Sequence, residues 1–172
     1  MNARHAALAQ FDLIWTFAEL HFDALQEDDF LWRATELSWT VHRDESGVWQ
    51  PDWADTEPDP IPVPTIAWLT WQITWWWSTA LDDLSGAPHR MREDVTWPGT
   101  GAESIAAIRA LAARWRDRLI KLTEDDWRTP SAFPWTADAG RTFADSVLWV
   151  NVELTKNVSE IGQLRLLRAA RY

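Results

Sequence analysis

The sequence predicts an all-α fold, a bundle of four long helices with one long Pro- and Trp-rich loop between the first and the second. Three observations predict it. Four segments repeat apolar residues at three- to four-residue spacing, as helices that bury one face require. Prolines at 51, 58, 60, 62 and 64 forbid helix between the first two of those segments. Strand signals are confined to one stretch, "SWTVHRDESGVWQ", where Asp44 to Gly47 suits the turn of a small hairpin.

Helix one is expected over residues 4–26, where Leu8, Phe11, Trp15, Ala18, Phe22 and Leu25 form one stripe. The connection that follows is long for a compact domain, which makes Trp39, Trp49 and Trp53 candidates for lining a site; rings that merely pin a surface loop are the plainer reading. Helix two is expected over 65–84, with Thr65 as N-cap. Helix three is expected over 101–122, opened by Thr100 and Glu103 at capping-box spacing. After a loop holding Pro130 and Pro134, helix four is expected over 142–170, opened by Thr142 and Asp145. At 172 residues, 47% hydrophobic and 24% charged, the chain suits one domain spanning 1–172.

A net charge of −10 argues against a nucleic-acid partner, since phosphate backbones are bound through clustered Lys and Arg. The absence of cysteine excludes disulfides, thiolate metal sites and a cysteine nucleophile. The amino terminus lacks a secretory pattern and no apolar run of membrane-spanning length occurs, so a cytoplasmic protein without a membrane partner is expected. Fifteen tryptophans are the unusual feature, and they follow no fixed period.

Within helix two, "TIAWLTWQITWWWSTALDDL" places one uncharged amide, Gln72, among Trp68, Leu69, Trp75 and Trp76 at helical neighbour positions. A buried amide without partners costs about 1–3 kcal/mol, so Gln72 requires a hydrogen-bond network or a ligand.

The motifs "FLWRA", "SWTV", "PDPIPVPTIAW", "VTWPG" and "VNVELTKNVSEIGQLRLLR" together resemble the DinB-like superfamily, which includes YfiT-like hydrolases and mycothiol-dependent maleylpyruvate isomerases, and they look closest to its actinobacterial members. The resemblance implies a four-helix bundle, often a homodimer, with nickel or zinc held by three side chains. Its helix-two histidine falls on Gln72, and its two ligands on the final helix fall on Glu153 and Asn157; neighbouring histidines of the family fall on Lys156 and Trp149. An all-oxygen set of Gln72, Glu153 and Asn157 suits nickel or zinc poorly, so no cofactor is expected. An altered site holding a hard divalent cation on those three residues is the alternative. The histidines present, at 5, 21, 42 and 89, show no metal-ligand spacing.

The functional expectation is an aromatic-lined cleft for a small, fairly apolar ligand. Glu153, Gln72 and Asn157 are the candidate catalytic residues, with Glu153 as acid or base and the amides orienting the substrate. Glu160, one turn on, joins the polar floor, and Trp68, Trp76, Trp39, Trp53 and Trp149 are the candidate walls. Three alternatives stand beside this: a non-catalytic binder, a bundle whose polar residues only bond one another, and a thiol-dependent transferase or isomerase using mycothiol.

Overall fold

The computed structural model describes residues 3–171. Helix α1 (Ala3–Phe22) buries Phe11, Ala18 and Phe22 of the predicted stripe together with Ala7 and Ile14, while Leu8 and Trp15 are only partly buried against the core. It stops short of residue 26, because the acidic run behind it makes its own turn. Glu27–Asp29 form a 3₁₀ turn in which the Asp29 carboxylate accepts from the backbone N–H of Gln26 at 2.7 Å. Glu27 reaches instead across the fold, where both carboxylate oxygens accept from the N–H of Gly101 at 2.8 and 3.0 Å, placing negative charge at a helix start.

The long connection holds four short strands: β1 (Ser38–Trp39), β2 (Val41–Arg43), β3 (Trp49–Pro51) and β4 (Val63–Pro64). The predicted hairpin is β2 with β3, antiparallel, turned by Asp44–Gly47 with Gly47 at φ 84°. The β1–β4 pair, parallel, falls partly inside the proline run and was not expected there. Proline tolerates it because the N–H groups of Val63 and Thr65 donate to Leu37 and Trp39, while Pro64 occupies the intervening position, which needs no donor.

Helix α2 (Ile66–Leu84) begins as predicted, the Thr65 hydroxyl accepting from the N–H of Trp68. Helix α3 (Gly101–Lys121) begins with Thr100 accepting from Glu103 N–H. A single-turn helix α4 (Glu124–Trp127), not foreseen in a segment read as loop, is closed by Thr123 and Asp126 bonding each other's backbone. Helix α5 (Phe143–Ala169) follows, with the Asp145 carboxylate accepting from Thr142 N–H.

Side-chain partners give the helix directions. Asn151 of α5 meets Ala7 and Gln10, and Gly162 lies against His21, so α1 and α5 run the same way. Arg116 and Arg109 of α3 bind Asp12 and Glu19, so α3 opposes α1. Trp76 meets both Trp149 and Asn157, and Gln72 meets Asn157, so α2 opposes α5. The order of the four long helices is up, down, down, up; since α2 and α3 are parallel neighbours, residues 85–100 must return along the length of the helices.

Tryptophan does much of the binding of loops to helices. The Trp68 indole N–H donates to Asp52 O, that of Trp71 to Val95 O, and that of Trp97 to Thr70 Oγ1. Trp77 sits at the centre against Phe11, Trp15, Trp76 and Trp115. Among the described residues, no helix is long and apolar enough to cross a membrane.

Candidate functional site

Gln72 is half-buried, and its Oε1 is satisfied by protein. Asn157, fully buried on α5, stands between α2 and a carboxyl: its Oδ1 accepts from the Trp76 indole N–H at 3.2 Å, and its Nδ2 donates to Gln72 Oε1 at 3.1 Å and to Glu160 Oε2 at 3.3 Å. The orientation of this amide follows from chemistry. An indole N–H can only donate, so it must face Oδ1, which turns the NH₂ group toward the two oxygens. The cluster therefore runs from a buried indole through two amides to one titratable group.

That group, Glu160, opens onto space. A cleft of about 610 Å³ lies between the segment after α1, strand β4 and the second half of α5. Trp32, Val63, Pro64, Leu164 and Leu167 wall it, Glu160 lies at one end and Arg171 at the other. Burial raises the Glu160 carboxyl above its usual value, and the nearby Glu153 charge adds to the rise; Lys156 and the Asn157 hydrogen bond oppose it. A carboxyl held up by burial beside an apolar cavity is a group able to exchange a proton nearer neutral pH.

The sequence-predicted residues divide. Gln72, Asn157 and Glu160 are brought together, but Glu153 is not bonded to them. It is half-buried, and its Oε2 pairs with Lys156 Nζ at 2.7 Å one helical turn on. The predicted tryptophan walls lie away from the 610 Å³ cleft. Trp39 stacks on Trp68 at 5.0 Å, Trp53 sets its edge against Trp71 and Trp75, and Trp149 does the same to Trp76 and Phe133. These rings satisfy one another because flat indoles at helical spacing pack more readily than they leave a gap. The cleft's own aromatic is Trp32, within "FLWRA", and Arg171 is its charged end. Leu164 and Leu167 continue the α5 apolar pattern past Ile161, which was the available signal for a wall there.

The three residues aligned with the family's metal ligands do not form a ligand set as they stand. Asn157 presents N–H bonds, not a lone pair, to Gln72 and Glu160, its one oxygen is taken by Trp76, and Glu153 turns to Lys156. Among the described residues no group of three or more His, Cys, Asp or Glu could hold a metal ion.

A family model for the DinB superfamily matches residues 10–161, from α1 through the Asn157–Glu160 turn of α5. No curated protein and no solved structure matches the chain. The match spans most of the chain and agrees with the mostly helical structure, and on it the chain belongs to the DinB superfamily.

Proposed function

We propose that the chain works as a single DinB-type four-helix-bundle domain that acts as an enzyme on a small, fairly apolar molecule, bound in the cleft beside Glu160, without a metal. The observation that carries this reading is the raised carboxyl at the end of an apolar cavity. In this scheme Glu160 touches the substrate and exchanges the proton; Asn157 and Gln72 position it. Asn157 lends one N–H to Glu160 and is itself fixed by Trp76, so the carboxyl is oriented without being neutralised by a cation. The reaction class is proton transfer to or from a bound carbon acid, carbonyl or leaving group. A thiol-dependent transfer like that of the isomerases named above would have to use this same carboxyl to take up the thiol proton.

Protein treated with a chelator and incubated with a metabolite extract should change the mass profile of some small apolar component. Glu160→Gln should abolish that conversion while retaining the fold, because the amide keeps shape and hydrogen bonding but cannot exchange a proton. Conversion that persists in Glu160→Gln, or that appears only when nickel or zinc is restored, overturns the scheme. A structural reading has one observation in its favour: every polar atom of Asn157 is already satisfied by the protein. No conversion of any component by the wild type selects that reading.

A further inference from the structure

The two ends of the cleft differ in chemistry, and the difference specifies a ligand. At the outer end Arg171 lies with its guanidinium carbon 5.3 Å from the centre of the Trp32 ring and donates one N–H to the Ala34 carbonyl at 3.3 Å. No ion pair joins Arg171 to an acidic side chain among the described residues, and its one hydrogen bond to Ala34 leaves further donors of the planar fork for a ligand. Arg33 lies in the adjoining opening with Arg171, as does one acidic residue, Glu36. Between the ends run apolar walls from Leu164, Leu167 and Val63. At the inner end lies Glu160, whose Oε2 accepts from Asn157 and whose carboxyl lines the cleft beside Leu164.

We infer that the cleft takes an amphiphilic carboxylic acid, its carboxylate held at the outer end by Arg171 against Trp32, its apolar body along Leu164 and Leu167, and a neutral hydrogen-bonding group at Glu160. This rests on the reading of the cleft as a ligand site and adds the ligand's class and polarity. Three physical points support the orientation. Arg is permanently charged and its fork matches a carboxylate in two parallel hydrogen bonds, whereas a buried acid receives a neutral hydroxyl or carbonyl without the cost of a second desolvated charge. Stacking on Trp32 already orders the guanidinium, so less rotamer freedom is lost when an anion binds. The length also fits. Residues 160 and 171 are eleven apart, about 16 Å at the rise of a helix, with Arg171 just past the end of α5, so the ligand required is an elongated one such as a medium-chain acid.

The test is calorimetric titration of the full chain with four probes of equal chain length: decanoate, 10-hydroxydecanoate, 1-decanol and decylamine. Decanoate is expected to bind more tightly than the alcohol or the amine, and the hydroxy acid more tightly still. Arg171→Gln should weaken decanoate by roughly tenfold while changing 1-decanol less than about twofold, as loss of one charge-assisted pair predicts. Arg116→Gln, on the α1–α3 face, should leave all four unchanged. Quenching of tryptophan emission by bound decanoate should shrink in Trp32→Phe, which places the probe. Equal affinity for decanoate and 1-decanol, or tighter binding of decylamine, overturns the inference but leaves the cleft as a ligand site. Failure of all four probes to bind overturns the reading of the cleft as a site for apolar ligands.

Discussion

Helix α5 carries two fully buried asparagines, and their surroundings differ in kind. Asn151 faces α1, where its Nδ2 donates to the Ala7 carbonyl at 3.0 Å and to Gln10 Oε1 at 2.9 Å, while its own Oδ1 has no partner. Asn157 faces α2, has every polar atom paired, and ends on a carboxyl beside a cleft. The first ties two helices together and reaches nothing titratable. The second couples helix packing to a group whose charge can change. A buried polar cluster becomes a candidate for chemistry when it terminates on such a group next to space; burial and hydrogen bonding alone do not distinguish it from a strut.

The largest expected difference between the two sites is in stability. Asn157→Leu leaves the Trp76 indole N–H buried without an acceptor and Gln72 without its donor, and should cost about 2–4 kcal/mol. Asn151→Leu removes two donated bonds but also an oxygen that is already unpaired, so about 0–1 kcal/mol is expected. Denaturant unfolding of both variants measures this, and equal costs would show the two clusters to be equivalent struts. Trp76→Phe comes next, at about 1–3 kcal/mol, since it strips the donor from Asn157 Oδ1 and leaves a small void. If Asn157 then turns its amide over, Gln72 must turn as well, and the bond to Glu160 is lost.

A third difference is in pH dependence. A carboxyl raised above its ordinary value of 4.5 holds its proton in the folded chain after the unfolded chain has released it. Between 4.5 and the raised value the folded state binds more protons, so Glu160 lowers stability progressively as pH rises through that window, and the loss is complete above it. Glu160→Gln removes the effect. The difference in melting temperature between variant and wild type, followed from about pH 4 to about pH 8, should therefore shift in favour of the variant and then level off. A flat difference would mean that Glu160 is as well solvated as a surface carboxylate. The α1–α5 seam at Asn151 supplies no group of this kind.

How far the sequence revealed these two regions follows from the range of the interactions. Thr65, Thr100 and Thr142 were legible as helix starts because a cap involves residues three apart. Gln72 was legible as an amide needing a partner, and its grouping with Asn157 came from the family resemblance, which places both at metal-ligand positions. The cleft was not, because it needs Trp32, Val63 and Leu164 from three distant segments, and the β1–β4 pairing that carries Val63 there depends on a register no local pattern encodes. The tryptophans were misleading for a related reason: helical spacing shows which rings share a face, not whether they close on one another.

Glu153 and Glu160 are seven residues apart and so lie on one face of α5, where periodicity cannot choose between them. Their neighbours do choose. Lys156, three residues after Glu153, supplies an ammonium group at 2.7 Å, while Glu160 faces Asn157 and the apolar cleft. Glu153→Gln is therefore the smallest of the expected effects. The pair it removes is partly exposed and spans one helical turn, which limits the change in stability to about 0–0.5 kcal/mol. One consequence reaches further: the Glu153 charge helps raise Glu160, so its removal should lower the Glu160 titration and end the pH-dependent loss of stability at a lower pH, with a smaller total loss. NMR titration of the Glu160 carboxyl carbon in wild type and Glu153→Gln would resolve that displacement. If Glu153→Gln proves as damaging to conversion as Glu160→Gln, while the Glu160 titration stays where it was, the proton-exchanging role belongs to the residue paired with Lys156, and the cleft beside Glu160 loses its claim to the chemistry.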